Sequence, residues 1–148
     1  MKKLGKIIPI FFTVFLFAIG ISTSSSGEEI KNQPQKAKTK IIAYYFHGTY
    51  RCPSCKTIEE WSHDAIKNSF QEELKNGRLV WKALNIEDVQ HRHFVKDYSL
   101  YTKSLIISEM NGEKEIRWKN IDKVWQLLRN QEKFFNYVTG EVKKYLEN

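Results

Sequence analysis

Three textures of hydrophobic and polar residues follow one another along the chain. Ile7 to Ile21 is an uncharged, mostly apolar run behind Lys2, Lys3 and Lys6, and Ser22 to Gly27 after it is small and polar. A basic start, an apolar middle and a small-residue exit form an export signal, so residues 1–26 read as a signal peptide or an N-terminal anchor. The run is short for a ~20-residue membrane span, which favours cleavage. Residues 27–40 contain no aromatic side chain and are rich in Lys and Gln, as a flexible linker is.

From residue 41 the pattern becomes that of a folded domain, 41–148. Ile41 to Phe46 is a run of β-formers and predicts a buried strand. His47 to Arg51 is a loop, and Cys52-Pro53-Ser54-Cys55 opens a helix. Ile58, Trp61, Ala65 and Phe70 recur along it at helical spacing, and Asn76-Gly77 ends it. Leu79 to Leu84 predicts a second strand, residues 87–98 a second helix, and Leu105 to Ser108 a third strand. Asn111-Gly112 marks a tight hairpin. The strand after it alternates, with Ile116 and Trp118 on one face and Glu115 and Arg117 on the other. The remainder is helical, with one apolar stripe through Ile121, Val124, Trp125 and Leu128. A second runs through Phe134, Phe135, Val138, Val142, Tyr145 and Leu146. Trp81, Trp118, Trp125, Phe134 and Phe135 fall on core-facing positions. Strands separated by helices imply parallel pairing and the hairpin adds an antiparallel strand. The prediction is an α/β fold, a thioredoxin-like mixed four-stranded sheet flanked by helices.

Charge changes the picture less than its total implies. The net charge is +7, but residues 41–148 hold 17 basic and 15 acidic residues. The excess sits in the leader and the linker, so the domain lacks the basic footprint that nucleic-acid binding needs. Two cysteines make neither a multi-bridge scaffold nor, alone, a four-ligand zinc site. Export places the domain in the periplasm or on the outer face of the cytoplasmic membrane, where disulfides persist. If the leader stays in place, residues 7–21 tether the domain to the membrane.

The chemistry then gathers at Cys52 and Cys55. A Cys-x-x-Cys pair directly after a strand and at a helix start, in an exported chain, reads as a redox pair. Pro53 suits the first helical turn, where no N–H is required. Cys52 at the helix N-terminus, beside Arg51, has its thiolate favoured and attacks disulfides. Cys55, one turn further in, resolves the mixed disulfide. Two other readings use the same atoms: a soft-metal, copper(I)-type site on the two thiolates, and an inert structural disulfide.

Phe46 to Lys56 resembles the active-site region of thioredoxin-fold proteins, and the similarity extends over residues 41–148. Phe46-His47-Gly48-Thr49, Arg51-Cys52, His93 to Tyr98, Leu100 to Ser104 and Arg117 to Asn120 are similar to a family of small exported proteins. That is the nitrophenyl-compound nitroreductase subunit (ArsF-like) family. The resemblance implies the fold and the cysteine pair. Nitroreduction is not carried over, because no Gly-rich turn follows a strand to cradle a flavin or nicotinamide, and no cofactor is expected. Ordinary thioredoxins place a cis-proline before the third strand, facing the cysteines. Ser104 falls there, and a trans bond is expected because a non-proline cis bond costs about 2.5–4 kcal/mol. They also carry a buried acid on the first strand, where this chain has Tyr45.

A proton acceptor must therefore come from elsewhere, with His47 and Glu59 as candidates and loop hydrogen bonding the plainer reading of His47. Glu59 and Glu60 also fit a solvated helix face. Lys103 and Ser104 are candidate substrate contacts. His63, His91 and His93 read as helix-surface residues rather than metal ligands. The expected function is extracytoplasmic thiol–disulfide exchange with protein thiols or disulfides, with a membrane electron donor among the partners. The alternatives are a copper-type carrier or a non-catalytic subunit of a membrane redox complex.

Overall fold

The computed structural model describes residues 39–147; the predicted leader, and the linker as far as residue 38, lie outside the described residues. Among the described residues, no helix is long and apolar enough to cross a membrane. Strand β1 (Lys40–His47) buries all six residues from Ile41 to Phe46. A strand covered on both faces needs no polar alternation, which is why its sequence shows none. Ile41, Ala43 and Tyr45 join the larger core, and Ile42, Tyr44 and Phe46 join a smaller one on the opposite face.

Helix α1 (Pro53–Ser69) and the short α2 (Gln71–Lys75) carry the chain to β2 (Leu79–Asn85), which lies parallel to β1. Strand β3 (Ser104–Asn111) is antiparallel to β1 on its other side, and β4 (Lys114–Asn120) is antiparallel to β3. The sheet order is β2-β1-β3-β4. Ile58, Ala65 and Ile66 of α1 pack on the sheet face that also receives Phe134, Val138 and Val142 of α4 (Gln131–Leu146). Trp61 stands edge-on to Phe134 at 5.4 Å between ring centres. A four-stranded sheet in this order, with β3 antiparallel to the other three, is the predicted thioredoxin-like α/β arrangement.

Four expectations need correction. The first helix breaks at Phe70, whose backbone leaves helical geometry (φ −133°, ψ 44°) while its ring is buried; α2 then runs on to Asn76, and Gly77 turns the chain at φ +74°. Residues 87–98 form a 3-10 turn, Val89–His91, and a single-turn α3, His93–Asp97. Asp88 makes no side-chain cap, Asn85 accepts the Glu87 N–H, and Val89 and Val95 are exposed. Too little apolar surface points inward to hold a longer helix. The hairpin loop is Gly112-Glu113, with Gly112 at φ +63° in the position that a type II′ turn reserves for glycine.

The fourth correction concerns β4. Glu109 pairs with Arg117 but Met110 pairs with Glu115, so Ile116 is an extra residue in a β-bulge. The bulge cancels the alternation. Glu115 accepts hydrogen bonds from Tyr98 (2.7 Å) and from Ser108, and Trp118 packs edge-on against the same Tyr98 ring. Ile116 and Trp118 are 50% and 39% exposed, so Trp118 is not a core residue. Arg117 lies with Glu109 and over the Tyr145 ring. Trp81, Trp125 and Phe135 are partly buried against the larger core, and Phe134 is fully within it.

Candidate functional site

The β1–α1 junction builds the site. Cys52 is the N-cap of α1, with extended backbone, and Pro53 takes the first helical position. The Cys52 Sγ accepts the Cys55 N–H at 3.2 Å, so the sulfur does what a capping oxygen does elsewhere and satisfies one free donor of the first turn. Cys52 and Cys55 form a disulfide with a Cα separation of 5.0 Å. The two sulfurs differ in access: Cys55 is 1% exposed, whereas Cys52 is only partly buried. Exchange at a disulfide requires in-line access to a sulfur, so an incoming thiolate reaches Cys52.

Beneath the pair lies a phenol. Tyr45, fully buried on β1, donates its O–H to the Cys55 carbonyl at 2.6 Å. Burial pushes the Tyr45 phenol up to about 12, with Arg51 pulling it slightly back. It stays protonated at neutral pH and cannot accept the proton of a resolving thiol. The Arg51 guanidinium lies 5.9 Å from the Tyr45 ring centre and is ion-paired with Glu59, one turn beyond Cys55 on α1. Glu59 thus meets Arg51 rather than standing as an independent base, and it partly neutralises the charge that the sequence assigns to the Cys52 thiolate. Arg51, Glu59, Lys56, Glu60, His63 and Trp81 line an open groove of about 520 Å³ between α1 and the edge strand β2.

On the other side, His47 ends β1 and its Nδ1 lies 3.0 Å from the Gly48 carbonyl. A carbonyl only accepts, so Nδ1 carries the proton and the ring makes the loop hydrogen bond that was the plainer reading. His47 lines a smaller cleft of about 150 Å³ with Gly48, Ile86, Glu87, Tyr101 and Lys103. Ser104 is 3% exposed, and its hydroxyl donates to the Thr102 carbonyl at 2.9 Å. Among the described residues no peptide bond is cis, so Ser104 follows a trans bond. The Lys103 carbonyl accepts the Trp125 indole N–H at 3.1 Å, which ties this loop to the helical C-terminal region. Lys103 is therefore positioned at the cleft, whereas the Ser104 side chain is turned into local structure.

His91 ends the 3-10 turn, His93 opens α3, and both make local contacts. His91 is partly buried with Nδ1 3.0 Å from the Asn85 carbonyl, and His93 pairs with Asp97 at 2.7 Å. Among the described residues, no group of three or more His, Cys, Asp or Glu side chains could hold a metal ion. Three residues at the site were missed in the sequence: Thr49, Asn85 and Glu87. Asn85 donates to the Thr49 hydroxyl at 3.0 Å and accepts the Glu87 N–H at 3.0 Å. Thr49, through its hydroxyl and its backbone N–H, holds the Glu87 carboxyl below the usual range, with Lys103 and Arg92 adding to the effect. The Asn-x-Glu spacing after a strand was the one available signal, since it predicts a side-chain-closed turn.

The chain matches no known family model and no curated protein. Among solved structures it is similar to one described as the structure of a malarial protein, at 15% identity and a TM-score of 0.42. That match covers 72% of this chain and 98% of the other. It is also similar to the solution structure of a thioredoxin from Thermus thermophilus, at 13% identity and a TM-score of 0.36, over 61% of this chain and 72% of that one. The fold assignment rests on strand order and direction within the sheet.

Proposed function

We propose that this protein carries out thiol–disulfide exchange outside the cytoplasm, with Cys52 as the attacking and attacked sulfur and Cys55 as the resolving one. The observation that carries the reading is the unequal burial of two bonded sulfurs at a helix start. In the oxidised form, a partner thiolate attacks Cys52 Sγ, the Cys52–Cys55 bond breaks, and Cys55 leaves with the electron pair and takes up a proton. A second partner thiolate then attacks the partner sulfur of the mixed disulfide. The partner leaves oxidised and Cys52 leaves as thiolate, so two thiols become one disulfide while the protein gains two electrons. The reverse sequence reduces a partner disulfide.

The hydrogen bond from Cys55 N–H to Cys52 Sγ and the helix end favour the thiolate, hence the reduced form, and make the pair more oxidising. The basic start and apolar run of residues 1–21 supply the export part of this proposal. Membership of the small exported family resembled by the sequence, a protein thiol or disulfide as partner, and a membrane electron donor belong to the same proposal. The test is a reaction of the reduced protein with glutathione disulfide, quenched with acid and resolved by mass. Cys55→Ser should accumulate a glutathione adduct on Cys52, and Cys52→Ser should form none at a comparable rate. Equal adduct formation at both cysteines would sink the assignment of roles. No observation favours the copper-carrier reading, which requires both sulfurs as free thiolates.

A further inference from the structure

The four residues that join β1 to Cys52 include two, Thr49 and Tyr50, that are exposed, so burial does not fix their path. Two side chains do, one from the end of β2 and one from the turn after it. Asn85 donates to the Thr49 hydroxyl and, through its Oδ1, accepts the Glu87 N–H, which shapes the turn that aims Glu87 back at the loop. Thr49 holds the Glu87 carboxyl below the usual range, which places the carboxylate on the side of this loop. It lies so close to Gly48 that a Cβ there would meet its Oε1 at 2.6 Å. Gly48 is not among the residues of positive φ, so its backbone does not demand glycine. What the missing side chain provides is the seat for the Glu87 carboxylate. Lys103, from the loop before Ser104, and Arg92 attract the same carboxylate. Glu87 and Lys103 thus line the same small cleft, with Gly48 at its edge.

We propose that Glu87 is a positioning residue for thiol exchange: seated on Gly48 and aimed there by the Asn85 turn, it fixes the loop that presents Cys52 at the start of α1. This rests on the reading of Cys52 as the exchanging sulfur. Gly48 gives a probe independent of Glu87 itself. In Gly48→Ala the clash is with the far end of a flexible side chain, so the carboxylate is displaced while the fold is spared.

The test measures the second-order rate of the reduced full chain with glutathione disulfide, alongside the melting temperature. Glu87→Ala and Gly48→Ala should each slow the reaction by about tenfold, the scale on which a misplaced reacting atom is felt, with little change in melting temperature. Glu87→Gln keeps the shape and an acceptor oxygen on Gly48 and should stay within about threefold of wild type, since it loses only the charge. Gly48→Ala added to Glu87→Ala should slow the reaction no further, because no carboxylate is left to displace. A wild-type rate in Glu87→Ala, equal slowing in Glu87→Gln and Glu87→Ala, or additive slowing in the double variant would each overturn the assignment while leaving the exchange function standing. Failure of the wild-type chain itself to exchange would overturn both.

Discussion

At Cys55 it is the carbonyl, not the sulfur, that receives the Tyr45 hydroxyl. The phenol stands on the first strand, where the resemblance to thioredoxins leads one to expect an acid, and it binds backbone and holds its proton. Tyr45→Phe should therefore cost about 1 kcal/mol, the net worth of a buried hydrogen bond, measured by denaturant unfolding at pH 7. The sign of its pH effect follows from the raised phenol. Its stabilisation is complete below the ordinary tyrosine value of 10.0 and is lost as pH rises towards about 12. That part of the alkaline loss should vanish in Tyr45→Phe, as followed by denaturation midpoints between those two values. Glu59→Gln tests the opposite side of the pair. Freed of its carboxylate, Arg51 acts on Cys52 with its full charge. The midpoint potential should rise by on the order of 15 mV, since a partly exposed ion pair is worth well under a tenfold change in equilibrium. An unchanged or lower potential in a glutathione titration would contradict the role given to Arg51.

Among the elements, α4 carries a correctable cost. Gly140 sits inside it at ordinary helical φ, and nothing lies within 4 Å of a Cβ built there. Gly140→Ala should stabilise the protein by about 0.5–1 kcal/mol, read as a higher denaturation midpoint. The elements legible in the sequence were those whose pattern is local and whose partners are apolar. They are β1 with its unbroken run, α1 with its helical spacing behind Pro53, and the stripe of α4 from Phe134 to Leu146. The failures share a cause too, in contacts made across the chain. One extra residue at Ile116 puts Glu115 and Trp118 on the same side, and no alternation rule reveals that the bulge lies there. The helix expected over 87–98 shrinks because Val89 and Val95 stay exposed, and Asn85 serves the loop before Cys52 instead of capping. The cysteines, with Arg51 and Glu59 beside them, were legible, but not that Arg51 pairs with Glu59 or that Tyr45 bonds the Cys55 carbonyl, because these contacts form only after β1 and α1 pack.

The domain as a whole is nearly balanced in charge, and its buried charges are paired. Glu141 is 6% exposed on α4 and accepts hydrogen bonds from Lys119 of β4 (2.7 Å) and from Lys144 (2.8 Å). Burial alone would raise its carboxyl, but the two lysines outweigh burial and hold it below its ordinary 4.5. A lowered carboxyl stabilises the folded state above that value and loses its effect as pH falls below it. Glu141→Gln should therefore flatten the acid limb of the stability curve, and an unchanged limb would contradict the pairing. With the sheet held to α4 in this way, the molecule presents one partly exposed sulfur bonded to one buried sulfur at the end of a stable core. The central claim is that this bond opens and closes reversibly. Its most direct test is a thiol-trapped titration of the full chain in glutathione buffers. The account predicts a reversible two-electron transition to an intramolecular disulfide that carries no glutathione, its oxidised-to-reduced ratio changing tenfold per ~30 mV; Cys55→Ser should instead trap the glutathione adduct, and Cys52→Ser should show neither. A bond that stays closed across the whole glutathione range, or a Cys52→Ser variant that titrates like wild type, would contradict it.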